Sequence, residues 1–216
     1  MSLRPRPFPV VIAAPSGAGK TSIARALVER NADVVFSISA TTRPARAYER
    51  DGIDYHFVDD REFDRMIAAG ELVEWAVVHG HRYGTPAAGI AAALERGQTV
   101  VLDIDVQGAR QIRVAFPEAV LVFILPPSGA ELGRRLAGRG SEAGPERIRR
   151  LKNARRELPA AAEFDYIIEN DDLGRAVRAL ESILEAERHR WRRYEDPEAE
   201  VARLRREVDE ILTRSE

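Results

Sequence analysis

The chain of 216 residues carries 33 basic and 35 acidic side chains, and its formal net charge of −2 argues against general attraction to nucleic acid or anionic membranes, so any anion site must be local. The absence of cysteine excludes disulfides, thiolate nucleophiles and thiolate metal sites. No apolar stretch reaches the roughly 18 residues of a membrane span, and the start "MSLRPRPFP" lacks the apolar segment of a signal peptide, so we expect a cytoplasmic protein without nucleic-acid or membrane partners.

Short apolar runs alternate with amphipathic stretches along the chain. The runs rich in β-branched residues predict strands buried on both faces, at 10–14, 99–105, 119–125 and 164–170. The amphipathic stretches predict helices at 20–30, 87–97 and 171–191, the second of them stopped by Gly97. This alternation indicates an α/β fold with a parallel β-sheet core, in a chain whose length suits a single domain.

Two insertions interrupt the predicted core, which comprises residues 9–33, 98–133 and 158–191. Residues 34–97 contain the strand-like runs "VVFSIS", "DYHFV" and "ELVEWAVV" and the helix "REFDRMIAAG", for which Asp59 and Glu62 form a capping box. They predict an inserted mixed α+β lobe. Residues 134–157 are basic and hold three glycines and a proline, so they predict a mobile lid on a helical stem.

The tail at 192–216 places Val201, Leu204, Val208 and Ile211 at spacings of three and four. Two heptads are too few to predict a coiled coil, so we expect the tail to pack on the chain's own surface.

A turn of small residues follows the first predicted strand and ends in lysine, although 31 of the 33 basic residues are arginine. The segment "APSGAGKT" fits the pattern G-x-x-x-x-G-K-[ST], apart from Ala14 at the first glycine. Gly17 and Gly19 let backbone N–H groups surround a phosphate, Lys20 reaches the β and γ oxygens, and Thr21 offers a hydroxyl to Mg²⁺. A guanidinium is wider than an ammonium and would collide with such a loop, which explains a lysine at this position. The alternative is a small-residue turn without a ligand.

Residues for an acceptor follow in the inserted lobe. Arg43 and Arg46, three apart, could grip a phosphate together with tyrosine hydroxyls, and Glu74 lies in an apolar strand where a carboxylate needs donors. Guanine offers two donors, N1–H and the exocyclic amine, whereas adenine presents an acceptor at N1. The alternatives are an exposed salt-bridged loop and a surface glutamate. The candidate acceptor residues of the lobe are Ser39, Arg43, Arg46, Tyr55, Glu74, Tyr83 and Thr85.

The remaining candidate site residues are two aspartates at the end of a predicted strand and three arginines in the predicted lid. Asp103 and Asp105 are two apart on a predicted strand, so their side chains should point to one face at its carboxyl end, where α/β folds bind ligands. One could orient Mg²⁺ through water while the other contacts the acceptor; the alternative is a structural pair of acids. In the lid, Arg135, Arg139 and Arg150 are candidates to neutralise a transferring phosphate, or else belong to a solvated basic helix.

These residues resemble the guanylate kinase family from about Pro9 to about Trp191. The matching motifs occur in family order as "PSGAGKT", "SISATTR", "DYHF", "ELVEWA", "YGT", "LDIDVQGA", "RRLAGRG" and "FDYIIEND". The resemblance implies a P-loop kinase with a parallel-sheet core, a nucleotide-monophosphate lobe and a lid, which transfers the γ-phosphate of ATP to GMP or dGMP with Mg²⁺ as cofactor. Three departures stand out: Ala14, the loop "RPARAYE" with Tyr48 in place of glycine, and the tail after Trp191.

By position, the resemblance also implies a role for each residue. The residues implied to bind ATP are Ala14, Pro15, Ser16, Gly17, Ala18, Gly19, Lys20, Thr21, Asn170 and Asp171, with Thr21 and Asp103 toward Mg²⁺. The residues implied to contact guanine are Ser39, Glu74, Thr85 and Asp105. Those implied to bind the GMP phosphate are Arg43, Arg46, Tyr55 and Tyr83, with Asp103 near both acceptor and metal. The implied catalytic groups are Lys20, Asp103, Arg135, Arg139 and Arg150.

Two other functions remain open on the sequence alone. One is a related kinase for another acceptor, such as ribose 1,5-bisphosphate, which would not need three base contacts. The other is a catalytically dead guanylate-kinase-like binding module, which would tend to lose the ATP loop that this chain retains. The sequence leaves open whether the protein is a monomer or a homodimer.

Overall fold

In the part of the chain that the computed structural model describes, residues 4–78, 80–137 and 144–215, nine strands form two sheets. The strands are β1 (Pro9–Ala13), β2 (Val34–Phe36), β3 (Ala40–Thr41), β4 (His56–Phe57), β5 (Leu72–Val78), β6 (His81–Pro86), β7 (Thr99–Asp103), β8 (Val120–Leu125) and β9 (Tyr166–Glu169). The helices are α1 (Lys20–Arg30), α2 (Asp60–Ala68), α3 (Ala87–Glu95), α4 (Val106–Ala115), α5 (Gly129–Ala137), α6 (Gly144–Glu157), α7 (Leu173–Arg188) and α8 (Pro197–Ser215). Short 3₁₀ segments stand at Leu158–Glu163 and Trp191–Arg193.

The larger sheet has the order β2-β7-β1-β8-β9, and all of its neighbouring strands pair in parallel. One apolar layer beneath α1 and α7 contains Ile12, Leu27 and Leu180, each fully buried. The opposite layer lies beneath α3 and α4 and contains Leu102 and Ile112. Burying an aliphatic side chain of this size contributes about 1.5–3 kcal/mol, so the two layers hold the sheet rigidly. The α/β parallel-sheet prediction is confirmed.

The predicted boundaries of the inserted lobe were wrong at both ends. Strand β2 pairs with β7 through Val34 and Thr99, so it is a fifth strand of the large sheet and no part of the lobe. Helix α3 buries Ile90 and Ala93 against the same sheet and is likewise part of the core. The β-branched residues of "VVF" favoured a strand correctly, but the sequence did not show which sheet would accept it.

The lobe contains a sheet of order β4-β3-β6-β5, in which β3–β4 is parallel and the other pairs are antiparallel. Helix α2 covers it with Phe63 and Met66. One half of its predicted capping box is confirmed, because the Asp59 carboxylate accepts from the Glu62 N–H. The other half is not formed, because the Glu62 side chain pairs with Arg65 instead. Strand β6 was not predicted, since its sequence "HRYGTP" is polar and includes glycine and proline.

The strand predicted at 99–105 is shorter than expected and ends at Asp103. Asp105 is the N-cap of α4, and its carboxylate accepts from the Gly108 N–H at 2.8 Å. The prediction that Asp103 and Asp105 share one face of a strand was therefore wrong, because an N-cap aspartate breaks the strand to satisfy the helix start. Both side chains nevertheless line the same cavity.

The predicted lid corresponds to the end of α5 and to α6, which pack together through Leu132, Leu136 and Ala154. Residues 138–143, and with them Arg139, lie outside the described residues.

The tail departs from its predicted packing. Its first part is anchored: Tyr194 bridges to Pro5, and buried Arg193 pairs with Glu187 at 3.1 Å and stacks 4.0 Å from the Phe8 ring. Helix α8 then leaves the body with its apolar residues exposed, so packing on the chain's own surface was wrong for α8. None of the described helices is long and apolar enough to cross a membrane.

Candidate active site

The turn after β1 forms a tight loop that leads directly into α1. Gly17 and Gly19 have φ of 91° and 94°, in the left-handed region that favours glycine, and Gly19 is the N-cap of α1. A Cβ on Gly19 would lie 2.3 Å from Asn170 Nδ2, so that position also needs glycine for space. The loop therefore directs the N-terminus of α1, with its unpaired N–H groups and positive dipole end, into the adjoining cavity.

Ala14, Pro15, Ser16, Gly17 and Gly19 line this cavity of about 200 Å³ together with Lys20 and Thr21. Ala14 follows β1 directly, and its methyl group is buried in the apolar layer beneath α1. The methyl group thus points into the core and leaves the cavity clear, which accounts for an alanine at the first position of the pattern.

Lys20, Thr21 and Asp103 meet at the carboxyl ends of β1 and β7. Lys20 Nζ lies 2.6 Å from Asp103 Oδ1 and donates to the Ile104 carbonyl at 2.8 Å. Thr21 Oγ1 donates to Asp103 Oδ2 at 2.6 Å. The side chain of Asp103 is only 10 % exposed, so this carboxylate holds both loop residues in one place.

A second cavity of about 210 Å³ adjoins the first and separates the sheet edge from the lobe. Lys20, Thr21, Val78 and Asp105 line both cavities. The lining of the second is completed by Ser39, Tyr55, Glu74, Ala76, Tyr83, Asp103 and Ile104. The predicted phosphate loop thus adjoins a cavity lined by most of the predicted acceptor residues, whereas Arg43, Arg46 and Thr85 do not line either cavity.

Strand pleating brings the acceptor residues of β5 and β6 to the same face. Glu74, Ala76 and Val78 alternate along β5 and point into the cavity, and Glu74 pairs across the sheet with Thr85. Because Ala76 pairs with Tyr83, the tyrosine lies on the same face. On β5 the charged Glu74 is buried while the apolar Trp75 is exposed, which reverses the usual arrangement and indicates a binding surface.

Glu74 is 4 % exposed, and burial raises its pKa to about 7. Its Oε1 accepts from the Thr85 hydroxyl at 2.6 Å, and its Oε2 lies against Gly108, where a Cβ would come within 2.5 Å. Near neutral pH this carboxyl group is therefore poised between its two protonation states, and donors from a ligand would favour the ionised form.

Arg43 lies among aromatic and acidic groups at the lobe side of the cavity. Its Nε donates to the Tyr83 hydroxyl at 3.1 Å, and its guanidinium lies 5.3 Å from the centre of the Tyr55 ring. Arg46 is more exposed, at 59 % of its side chain, and donates to the Tyr48 hydroxyl at 3.1 Å. Tyr48, at the position where the resembled family has glycine, thus contacts the second arginine on the exposed surface of the loop.

The structure reveals two acidic residues that sequence reasoning missed. Glu49 is nearly buried and pairs with Arg43 at 2.9 Å; burial opposes its ionisation, but the hydrogen bonds from Arg46 and Arg43 prevail and lower its pKa. Glu157, the last residue of α6, lines the phosphate-loop cavity and accepts from the Ser16 N–H, and burial raises its pKa. An acid within the arginine-rich loop could have signalled Glu49, whereas Glu157 looked like one charge among many in a basic helix.

Asn170 and Arg135 support the phosphate loop from behind. Asn170 Nδ2 donates to the Ala18 carbonyl at 2.7 Å, and Arg135 donates to the carbonyls of Ala18 and Asn170 at 3.3 and 2.8 Å. Asp171 is exposed and pairs with Arg175, outside both cavities. Arg150 lies on α6 and, like Arg135, is not among the residues that line the two cavities.

The fold and site define a P-loop kinase: a parallel sheet whose first strand leads through a glycine turn into a helix with lysine and threonine, facing an inserted acceptor lobe. Residues 6–187 match the family model described as guanylate kinase. The guanylate kinase of Syntrophotalea carbinolica is 52 % identical over 177 residues, covering 82 % of this chain and 84 % of that one. That of Caldanaerobacter subterraneus subsp. tengcongensis is 46 % identical over 196 residues, covering 91 % and 95 %.

A solved structure agrees with these relatives. The crystal structure of guanylate kinase from Anaplasma phagocytophilum superposes with a TM-score of 0.78 at 34 % identity, covering 91 % of this chain and 94 % of that one. The chain belongs to the guanylate kinase family of phosphotransferases.

Proposed function

We propose that this chain transfers the γ-phosphate of ATP to GMP or dGMP, giving ADP and GDP or dGDP, at the joined cavities, and that it does so in the cytoplasm. The observation that carries the proposal is the buried Glu74 carboxyl group, which faces the same space as Lys20 and Thr21. A nucleotide base bound at Glu74 and a polyphosphate bound at Lys20 would have their phosphates directed toward each other. In-line transfer between them needs positioning and charge neutralisation and no covalent intermediate.

On the donor side, the loop around Gly17 and Gly19 would hold the β-phosphate on backbone N–H groups. Lys20 would leave its contacts with Asp103 and the Ile104 carbonyl for the β and γ oxygens, a movement for which its flexible stem is suited. Asn170 would contact ATP only indirectly, because its amide already holds the loop carbonyl of Ala18.

On the acceptor side, ionised Glu74 would accept from guanine N1–H and from the exocyclic amine, with Ser39, Thr85 and Asp105 beside it. Adenine places an acceptor at N1 and would face the buried carboxylate without a donor. The Thr85 hydroxyl is already donated to Glu74, so Thr85 would act by orienting that carboxylate. A sugar phosphate would offer this buried acid no base donors beyond the Thr85 hydroxyl, which disfavours the ribose bisphosphate alternative.

Arg43 would grip the GMP phosphate together with Tyr55 and Tyr83, and Arg46 would add charge from the rim. A guanidinium has five N–H donors, and the bonds of Arg43 to Tyr83, Glu49 and the Pro44 carbonyl use three. The two others could bind a phosphate without dismantling the pair with Glu49. Glu49 therefore positions Arg43 in advance.

The residues present fit Mg²⁺. Thr21 and Asp103 supply a hydroxyl and a carboxylate 2.6 Å apart, both hard oxygen donors. The described residues contain no cluster of three or more acidic or histidine side chains that could cage a metal, as expected for an ion that is held largely by phosphates and water. When bound, Mg²⁺ would neutralise charge on the ATP phosphates.

The lid arginines Arg135, Arg139 and Arg150 would neutralise charge on the transferring group after the lid closes and excludes water. For Arg135 this requires exchanging its contacts with the Ala18 and Asn170 carbonyls, which already place it beside the phosphate loop. A catalytically dead binding module would need neither this arrangement nor the intact loop.

The test is ADP formation with Mg²⁺ and ATP across GMP, dGMP, AMP, CMP, UMP, ribose 1,5-bisphosphate and no acceptor. We expect GMP to exceed AMP in kcat/KM by about 10⁴-fold or more, because the wrong base leaves buried polar groups unpaired. Turnover of the sugar phosphate with GMP inert would overturn the acceptor assignment. ATP binding by calorimetry without turnover of any acceptor would favour the binding module.

A further inference from the structure

Strand β5, which carries Glu74, is an edge strand of the lobe sheet in the described part of the chain. A register shift between Leu72 and Glu74 interrupts its pairing with β6 directly before the glutamate. Val73 still packs against the apolar layer beneath α3 and α4. Beyond it, one face of the strand lines the cavity, and Trp75 and Val77 on the other face are exposed. Apolar packing therefore does little to fix this part of β5.

The side chain of Gln111 on α4 pairs with the open edge of β5. Its amide oxygen accepts from the Trp75 N–H at 3.1 Å, and its amide nitrogen donates to the Trp75 carbonyl at 2.9 Å. The same nitrogen also donates to the Gln107 carbonyl at 3.4 Å. An amide that accepts and donates in this way supplies the hydrogen bonds that a neighbouring strand would make. Gln111 thus links the edge of the lobe sheet to a helix of the core.

Helix α4 also contacts the residue before Trp75. Gly108 precedes Gln111 by three positions, so the two residues are neighbours on the helix surface. Glu74 Oε2 lies against Gly108, and Glu74 Oε1 accepts from the Thr85 hydroxyl of the lobe. The carboxylate of Glu74 and the peptide groups beside it are therefore both held against α4.

We propose that Gln111 is a positioning residue for recognition of the acceptor base. By fixing the peptide groups of Trp75 against α4, it holds Glu74 where the carboxylate can meet both donors of guanine, N1–H and the exocyclic amine. Two hydrogen bonds to one planar group depend on its position and angle, and a displacement of about 1 Å is enough to weaken them. The inference rests on the proposed function, since it concerns how that site distinguishes bases.

The contact itself is tested without any substrate. Gln111→Met keeps the length of the side chain and removes both hydrogen bonds to Trp75. Amide hydrogen exchange at Trp75, followed by NMR, should therefore become at least about fivefold faster. Gln98→Met is the matched control, because Gln98 lies directly before β7 and its amide accepts from Arg96 at 2.9 Å. Exchange at Trp75 that is unchanged in Gln111→Met would overturn the anchoring.

The role in base recognition is tested with GMP and inosine monophosphate (IMP), whose bases differ only in the exocyclic amine. The wild type should prefer GMP by about 10- to 100-fold in kcat/KM, since IMP lacks one hydrogen bond to a charged group. Gln111→Met should reduce this preference at least about fivefold, mainly through a higher KM for GMP. KM for ATP should stay within about twofold, because the core holds the phosphate loop. Gln98→Met should leave the preference and both KM values unchanged.

Gln111→Glu keeps the test valid if Gln111→Met does not fold. The substituted carboxylate has the same length, retains the acceptor for the Trp75 N–H and loses the donor to the Trp75 carbonyl. The preference for GMP over IMP should therefore fall by an intermediate factor of about two to five.

A preference for GMP that is unchanged in both Gln111 variants, even with faster exchange at Trp75, would overturn the role in base recognition. A rise in KM for ATP equal to that for GMP would also overturn it, because the disturbance would then extend beyond the base site. A wild type that is inert with GMP, or that uses GMP and IMP equally, would instead overturn the assignment of Glu74 to guanine, and this inference with it. The wild type alone thus separates the two failures.

Discussion

Protonation of Glu74 should govern the pH dependence of GMP use. The pKa of this buried acid is raised to about 7, and only its ionised form can accept both donors of guanine. With that value about one eleventh of the enzyme is ionised at pH 6 and about ten elevenths at pH 8, so kcat/KM for GMP should rise about tenfold across this range from this group alone. The acceptor phosphate also titrates near pH 6, so a comparison that removes only Glu74 is needed.

Glu74→Gln supplies that comparison. The variant should lower kcat/KM for GMP by about 100-fold or more and lose the step near pH 7, while keeping the step of the phosphate. Glu71→Gln is the matched control, since Glu71 is exposed just before β5 and pairs with Arg65. At each pH, kcat/KM for GMP of the wild type is divided by that of Glu74→Gln, which removes the contribution of the phosphate. A ratio that does not change between pH 6 and 8 would refute the assignment of Glu74 to the base.

The same raised pKa has a consequence for stability in the ligand-free protein. An acid whose pKa rises on folding favours the folded state when protonated, and its contribution is lost as pH rises from about 4.5 through about 7. Between pH 4.5 and 8 the unfolding free energy of Glu74→Gln should therefore gain up to about 3 kcal/mol relative to wild type, measured by urea denaturation. An unchanged difference across this range would show that folding does not raise the pKa of Glu74.

Three further substitutions test the loop and the clamp. Gly19→Ala should cost about 2 kcal/mol in urea denaturation, because its Cβ would meet Asn170 at positive φ, whereas Gly133→Ala in open space within α5 should be neutral or stabilising. Lys20→Arg should lower kcat by about 100-fold or more in the ADP assay, because the wider guanidinium collides with the loop. Near-normal turnover would show that the loop does not require the compact ammonium of lysine. Glu49→Gln should raise KM for GMP about tenfold with little change in kcat, and a selective loss of kcat would contradict its positioning role.

Much of the site could be predicted because its chemistry depends on local sequence. The lysine in an arginine-biased chain, the glycines at positive φ and the inward glutamate of β5 each need a particular residue type at a particular place. The fold class followed from β-branched runs between amphipathic helices. The family resemblance added the roles of single residues.

The features that could not be predicted from the sequence depend on contacts between residues far apart in the chain. Strand β2 was assigned to the lobe because only its partner β7 shows that it belongs to the core. Asp105 was placed on a strand because "LDID" alternates like one, yet capping of α4 ended the strand earlier. The exposure of α8 could not be predicted either, since a heptad stripe looks the same whether it packs on its own body or on another chain.

The most direct test of the central claim is to follow the fate of the γ-phosphate. ATP labelled at the γ position would be incubated with the chain, Mg²⁺ and GMP, and the products separated by anion-exchange chromatography. Transfer between facing phosphates with water excluded predicts label in the β position of GDP, one ADP for each GDP, and little labelled inorganic phosphate. Label released mainly as inorganic phosphate, or GDP that stays unlabelled, would contradict a kinase that uses GMP as its acceptor.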